Sequence, residues 1–229
     1  MFVSPTSIYL KIHSALSYGV HRLRGKVLAL LLLLLAAPAG AEPLKLLAFG
    51  DSLTHGYGLP QGDGFVPQME AWLRAQGLDV AVTNAGVSGD TTAGGLSRID
   101  WTLAEPFDAM ILTLGGNDLL RGTAPEVTRA NIDGILQAVQ GAGVKVLLVG
   151  MPAPGNYGPD YAAAFNAIWP ELSALYGTAY VPSFFIGLPD EDPAALRGLF
   201  QPDGIHPNAE GVTLIVEGLG PEVAKLLAE

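Results

Sequence analysis

Runs of apolar residues recur along the chain from residue 44 onwards, each four to six residues long. There are five of them: Leu44–Phe49, Val80–Thr83, Ala109–Leu114, Val144–Val149 and Thr178–Val181. The middle runs are almost uninterrupted, as expected for strands that are covered on both faces. Segments with helical periodicity separate the runs. This alternation predicts an α/β fold with a five-stranded parallel sheet between layers of helices.

The separating segments place their apolar residues on one face of a helix. Three such faces are Phe65, Val66, Met69, Trp72 and Leu73; Ile132, Ile135, Leu136 and Val139; and Val212, Ile215, Val216, Leu219, Val223, Leu226 and Leu227. Thr123 and Glu126 have the spacing of a capping box, which predicts that Thr123 caps the second helix. Pro170 is expected to kink or divide the helix around Ala162–Leu175.

An apolar run near the N-terminus, Val27–Ala37, has the features of a secretory signal. Three basic residues lie just before it, and Ala39-Gly40-Ala41 fits the small-residue rule for cleavage. The run is too short for a spanning helix, which needs about 20 residues. We therefore expect residues 1–41 to be removed, with cleavage near Ala41. Residues 42–229 would then form a single periplasmic or secreted domain; a membrane anchor is the alternative.

The chain without this segment is strongly acidic. Residues 1–41 hold four of the twelve basic residues and none of the 22 acidic ones, so residues 42–229 carry a net charge of −14. Such a charge argues against a nucleic-acid partner and against docking on anionic lipid. The absence of cysteine excludes a disulfide framework and a thiol nucleophile. We expect a monomer with no stable membrane anchor that acts on a small molecule.

Gly50-Asp51-Ser52-Leu53 directly follows the first apolar run. Function in a parallel α/β sheet collects beyond the carboxyl ends of the strands, so Ser52 is well placed for chemistry. A serine hydroxyl is a poor nucleophile unless an adjacent base takes its proton. The structural alternative is that Asp51 or Ser52 only caps the next helix. No lipase-type G-x-S-x-G elbow is present, because Gly86-Val87-Ser88-Gly89-Asp90 has the wrong spacing.

A candidate base lies near the C-terminus, in Asp203-Gly204-Ile205-His206-Pro207. Pro207 disfavours a helical conformation for His206, which predicts an extended turn before the last helix. Asp203 could then accept from Nδ1 of His206 and leave Nε2 to face Ser52. A structural turn is the alternative. After removal of residues 1–41 the other histidine is His55, which has no carboxylate at short spacing and is expected at the rim of the site.

Gly116-Asn117-Asp118 closes the third apolar run. The Asn117 amide could donate to a developing oxyanion, together with the backbone N–H groups of Ser52 and Gly86. A polar turn after a buried strand is the alternative. A phosphate-binding loop is disfavoured because no Gly-Lys-Ser/Thr sequence follows.

These blocks together resemble the SGNH (GDSL) hydrolase superfamily, within it the bacterial acyl-thioesterase, arylesterase and lysophospholipase subgroup. Gly50–Leu53 matches its first block, Asn84–Gly86 its second, Gly116–Asp118 its third and Asp203–Pro207 its fifth. The resemblance implies a flavodoxin-like three-layer α/β/α fold with no cofactor and no metal. It implies Ser52 as nucleophile, His206 as base and acid, and Asp203 as orienter. It also implies Ser52, Gly86 and Asn117 as oxyanion donors.

The sequence therefore predicts a hydrolase of acyl esters and acyl thioesters. The candidate acyl contacts are Leu119, Leu120, Tyr157, Phe184, Phe185 and Ile186. A metal-dependent phosphoesterase is disfavoured, because two histidines are few for a metal site. A non-catalytic lipid- or carbohydrate-binding module and a carbohydrate O-acetyl esterase stay open as alternatives.

Overall fold

The structure is a computed structural model that describes residues 42–189 and 193–229. Within it, Pro43–Glu229 forms one compact unit. The predicted secretory segment at residues 1–41 lies outside the described residues.

Five parallel strands form one sheet, in the order β2-β1-β3-β4-β5. Their bounds are Leu44–Gly50 (β1), Val80–Gly86 (β2), Ala109–Thr113 (β3), Lys145–Val149 (β4) and Ala179–Val181 (β5). The chain leaves β1 towards one edge, to form β2, and then returns to place β3 on the other side of β1. A crevice opens beyond the carboxyl ends of two strands where the winding reverses in this way, here β1 and β3.

Helices cover the sheet as the apolar periodicity predicts. Their bounds are Ser52–His55 (α1), Phe65–Ala75 (α2), Thr92–Thr102 (α3), Gly116–Leu120 (α4), Pro125–Gly141 (α5), Pro159–Tyr176 (α6), Pro193–Gly198 (α7) and Ala209–Ala228 (α8). Helix α2 packs against α8, while α3 packs against α5 and α5 against α6. The apolar residues of β1 and β3 are almost completely buried between the helices. The predicted five-stranded α/β architecture is confirmed.

The second strand is longer than the sequence predicts. It continues past Thr83 through Asn84, Ala85 and Gly86, and Gly86 pairs with Gly50 of β1. These residues look like a turn in the sequence because Asn and Gly are poor strand formers. Pairing along the full length of β1 nevertheless keeps them extended, so the turn begins only after Gly86.

The predicted capping box at Thr123 is wrong. Helix α5 begins at Pro125, its N-cap is Ala124, and no side chain caps it. Proline suits the first helical position because the missing N–H would have no partner there anyway. The helix therefore starts one residue later than a capping box at Thr123 requires. Pro170 also fails to divide its helix, since α6 runs unbroken from Pro159 to Tyr176.

Candidate active site

The predicted nucleophile lies at the carboxyl end of β1, at the start of α1. The Asp51 side chain accepts the Leu53 N–H at 3.0 Å and so caps this short helix. The Ser52 hydroxyl oxygen lies 2.8 Å from Nε2 of His206, although 154 positions separate the two residues in the chain. A hydroxyl at this distance from an imidazole nitrogen can pass its proton to it.

His206 is oriented by its own loop. Oδ2 of Asp203 lies 2.7 Å from Nδ1 of His206, and Oδ1 accepts the N–H groups of Ile205 and His206 at 2.9 and 3.0 Å. These hydrogen bonds, above all the one with the His206 side chain, lower the pKa of Asp203 to about 2. Asp203 therefore stays ionised and holds the imidazole with Nε2 towards Ser52.

Tyr57 and Gln201 connect the histidine loop to the segment that follows α1. Nε2 of Gln201 donates to the carbonyl oxygens of Tyr57 at 2.8 Å and Pro207 at 3.1 Å. The Tyr57 ring lies against the imidazole of His206, with 4.7 Å between ring centroids and 40° between ring planes. Neither residue was predicted to be functional, because neither belongs to a block whose chemistry is visible in the sequence.

Asn117 lies beside the nucleophile because β3 pairs with β1 and α4 follows β3 directly. Its Nδ2 donates to Oδ2 of Asp51 at 3.3 Å. A side-chain amide carries two N–H donors, so one of them is left for a substrate. Asp51 itself is only 2% exposed. Burial raises the pKa of Asp51 to about 6, although the hydrogen bonds from Leu53 and Asn117 act in the opposite direction.

A cavity of about 680 Å³ opens over Ser52 and His206. Asn117 and the loop residues Ser88 and Gly89 form part of its wall. Most of the remaining wall is apolar, supplied by Leu53, Tyr57, Leu119, Leu120, Met151, Pro152, Pro154, Phe185, Phe200 and Ile205. A cavity with a few converging polar groups in an apolar wall is typical of a small-molecule site.

The geometry corrects the prediction for Gly86. Its backbone N–H already donates to Oδ1 of Asn84 at 2.9 Å, and Gly86 is not part of the cavity wall. As the last residue of β2 it packs against α1, where an added Cβ would clash with the backbone nitrogen of His55. Gly86 is therefore a position of close packing whose N–H already has a partner.

Gly89 lies where Gly86 was expected. It lines the cavity, has a φ of +79°, and its carbonyl accepts from Nη2 of Arg121 at 2.8 Å. Its N–H makes no hydrogen bond to any residue within 42–189 or 193–229. If β2 is predicted to continue to Gly86, the turn begins after Gly86, and the candidate for the backbone oxyanion donor becomes Gly89 instead of Gly86.

Comparison with known proteins identifies the family of this chain. The GDSL-like lipase/acylhydrolase family matches residues 48–214, which span all the blocks described above. The chain belongs to this family. The resemblance drawn from the sequence blocks is thereby confirmed, and with it the prediction of an enzyme that hydrolyses acyl compounds.

Individual members of the GDSL-like family are similar over most of the chain. The esterase TesA of Pseudomonas aeruginosa is 39% identical over 199 residues, 86% of this chain and 96% of that protein. The thioesterase 1/protease 1/lysophospholipase L1 of Escherichia coli is 33% identical over 198 residues, 86% and 90% of the two chains. The crystal structure of AlinE4, an SGNH-hydrolase family esterase, has a TM-score of 0.68 and 42% identity, covering 82% and 98%.

The candidate acyl contacts of this GDSL-like protein divide into two groups. Leu119, Leu120 and Phe185 line the cavity over Ser52. Phe184, Ile186 and Tyr157 do not; Phe184 is fully buried in the core, and the Tyr157 hydroxyl donates to the Leu120 carbonyl at 3.4 Å. Adjacent aromatic residues in an irregular segment point in different directions, and the sequence alone does not separate them.

The expected rim position of His55 is wrong. His55 ends α1, its Nδ1 lies 3.2 Å from the Gly86 carbonyl oxygen, and it lines a separate cavity of about 530 Å³.

In the part of the chain that the structure describes, no three His, Cys, Asp or Glu side chains are grouped so that they could hold a metal ion. No helix of that part is long and apolar enough to cross a membrane.

Proposed function

We propose that this protein is a serine hydrolase of carboxylic esters and thioesters with an apolar acyl group. The observation that carries the proposal is the chain of two short contacts, Ser52 to His206 at 2.8 Å and His206 to Asp203 at 2.7 Å, at the floor of the apolar cavity. A binding module has no use for such a relay, which is why catalysis is favoured over binding alone.

Ser52 attacks the acyl carbon while Nε2 of His206 takes the hydroxyl proton. Asp203, ionised because its pKa is low, stabilises the imidazolium that forms. His206 then gives the proton to the leaving alcohol or thiol, and an acyl-enzyme remains. Water, deprotonated by the same imidazole, releases the acid and restores Ser52.

The negative charge of the tetrahedral intermediate needs hydrogen-bond donors. We assign this role to the free N–H of Asn117 and to the backbone N–H groups of Ser52 and Gly89. All three residues line the cavity. Gly89 replaces Gly86 in the set because the Gly86 N–H is already bonded to Asn84.

The wall of the cavity indicates the substrate class. Its apolar area favours an acyl chain over a sugar, which would need polar partners for its hydroxyl groups. The similarity to proteins named as an esterase and as a thioesterase and lysophospholipase supports oxygen esters and thioesters alike. A carbohydrate O-acetyl esterase would share the catalytic residues but not this wall.

Mass spectrometry after treatment with a serine-reactive organophosphonate tests the proposal. We expect one adduct, on Ser52, and no adduct in His206→Ala. Ser88 lines the same cavity and is the internal control, because it has no imidazole partner within residues 42–189 and 193–229 and should stay unmodified. A folded protein that forms no adduct would overturn the proposal and return the binding module to first place.

Steady-state rates on p-nitrophenyl esters of increasing chain length, on an acyl thioester and on an acetylated sugar test the substrate class. We expect turnover of the first two kinds and little of the third. A preference for the acetylated sugar would favour the O-acetyl esterase alternative.

We further propose that the protein is exported, with cleavage near Ala41, and acts as a monomer. N-terminal sequencing and light scattering of the exported protein test these two points. A mature N-terminus upstream of the apolar run Val27–Ala37 would contradict the first, and a dimer mass the second.

A further inference from the structure

Arg98 of α3 makes an unusual set of contacts beneath the site. Its guanidinium lies 3.8 Å from the centroid of the Phe49 ring. Nε donates to Oδ2 of Asp90 at 2.8 Å, Nη1 to the Ala85 carbonyl at 3.0 Å and Nη2 to the Gly50 carbonyl at 3.0 Å. The side chain is 20% exposed and that of Asp90 only 12%. All three nitrogens of one planar group are therefore engaged.

The three acceptors belong to the two segments that carry backbone donors. Gly50 ends β1 two residues before Ser52, and Asp90 directly follows Gly89. Ala85 lies one residue before the end of β2. Arg98 thus connects the turn at Gly50–Ser52, which carries the nucleophile, to the turn around Gly89, although Arg98 is not part of the cavity wall.

Arginine suits this position for a physical reason. Its guanidinium presents N–H donors in a fixed plane, whereas lysine offers a single ammonium on a flexible stem. A buried cation is tolerated only when it is paired and hydrogen-bonded, as Asp90 and the two carbonyls provide here. The rigid guanidinium of Arg98 therefore fixes the distance and orientation between the turn that carries Ser52 and the turn that carries Gly89.

We propose that Arg98 is a positioning residue that fixes the Gly89 N–H relative to the Ser52 N–H. The inference rests on the proposed function, since it assumes that both groups stabilise the oxyanion. Donors that are misplaced by a fraction of an ångström stabilise the transition state less while leaving the acyl pocket intact.

Arg98→Lys tests the proposal, with Arg74→Lys as matched control. Arg74 makes the same kinds of contact, with Nε donating to the Val80 carbonyl at 3.0 Å and Nη2 paired with Glu70 at 3.0 Å. Those contacts lie at the opposite end of β2. For Arg98→Lys we expect kcat on an aryl ester to fall roughly 10- to 100-fold with little change in KM. Arg74→Lys should keep the wild-type kcat.

Two inhibitors separate positioning from general damage to the fold. A phosphonate forms a tetrahedral adduct that uses the oxyanion donors, whereas a product fatty acid occupies the acyl pocket without attack by Ser52. In Arg98→Lys we expect the phosphonylation rate to fall in parallel with kcat, and the inhibition constant of the fatty acid to stay at its wild-type value. Equal weakening of both would overturn the proposal, as would an unchanged kcat.

Asp90→Asn keeps the inference testable if Arg98→Lys does not fold. Asparagine retains an oxygen for Nε of Arg98 but removes the charge. We expect a smaller fall in kcat with the same unchanged fatty-acid inhibition; no fall would count against the proposal. If the wild-type protein forms no phosphonate adduct, the proposed function itself fails, which is distinct from a failure confined to Arg98.

Discussion

Replacing Asp51 by asparagine should change the stability of the protein in a pH-dependent way. The free energy of unfolding of Asp51→Asn minus that of the wild type should be larger at pH 8 than at pH 4. Asp51 is buried, and its pKa is raised from 3.8 to about 6 mainly by burial. The folded protein therefore holds a proton on Asp51 up to about pH 6, while the unfolded chain releases it near pH 3.8. The contribution of this group to stability is full below pH 3.8 and is lost as the pH rises through about 6.

The size of the effect follows from the displacement of the pKa. Each tenfold change in an ionisation constant corresponds to about 1.4 kcal/mol, so ionised Asp51 destabilises the folded state by roughly 3 kcal/mol above pH 7. Asparagine has a similar shape and no charge, so the variant lacks this dependence. It also weakens a hydrogen bond with Leu53 or Asn117, at a cost of about 1 kcal/mol that does not vary with pH.

Urea unfolding followed by tryptophan fluorescence at several pH values between 4 and 8 measures the prediction. The unfolding free energy of Asp51→Asn minus that of the wild type should increase by roughly 2–3 kcal/mol over this range. A difference that stays constant over this range would refute the reasoning.

Three further predictions concern the rate. Asn117→Ala should lower kcat roughly 10²- to 10³-fold with little effect on folding, because it removes a transition-state donor; steady-state kinetics at the wild-type rate would remove Asn117 from the mechanism. His206→Ala should lower kcat on the order of 10⁶-fold, whereas His55→Ala should change it little, since His55 contacts Gly86 rather than Ser52; equal losses would overturn the assignment. Tyr57→Leu should lower kcat/KM about 2- to 5-fold, because the ring face attracts the imidazolium; Tyr57→Phe is the control that should retain it.

The fold could be predicted because its determinants are local. Continuous apolar runs mark β1 and β3, and helical periodicity marks α2, α5 and α8. Parallel topology then brings the carboxyl ends of neighbouring strands together, so blocks far apart in the chain meet without any knowledge of contacts. The contact between Asp51 and Asn117, 3.3 Å from Oδ2 to Nδ2, is of this kind, because β1 pairs with β3.

Errors arose where pairing between strands decides the local structure. Asn84, Ala85 and Gly86 have the composition of a turn, yet they extend β2 because β1 offers partners for them. Since the turn then begins three residues later, the available backbone N–H belongs to Gly89. Such an extension of a strand depends on pairing with the neighbouring strand and is not visible in the composition of the segment itself.

The wall of the cavity was only partly predictable for a different reason. Met151, Phe200 and Ile205 line it, but their segments have neither strand nor helix periodicity. The direction of a side chain in an irregular loop is set by a few long-range contacts. The Gln201 bonds to Tyr57 and Pro207, which fix the loop around Ile205, are an example.

The position of the buried acids links stability to catalysis. Within residues 42–189 and 193–229, the fully buried carboxylates are Asp51 and Asp118. Asp51 accepts a hydrogen bond from the Asn117 side chain. Asp118, the residue after Asn117, accepts the Thr92 N–H at 2.8 Å and the Thr92 hydroxyl at 2.6 Å. These two bonds hold Asn117 close to the start of α3, which lies just beyond Gly89. Burying a carboxylate lowers stability unless hydrogen bonds compensate for the lost hydration. For Asp51 they compensate only in part, since its pKa stays raised.

Asp51 thus lowers the stability of the fold while it contacts Asn117, the proposed oxyanion donor. The position of Asp51 is best explained by its effect on Asn117. Asp51→Asn should therefore gain stability at pH 8 and at the same time lose kcat.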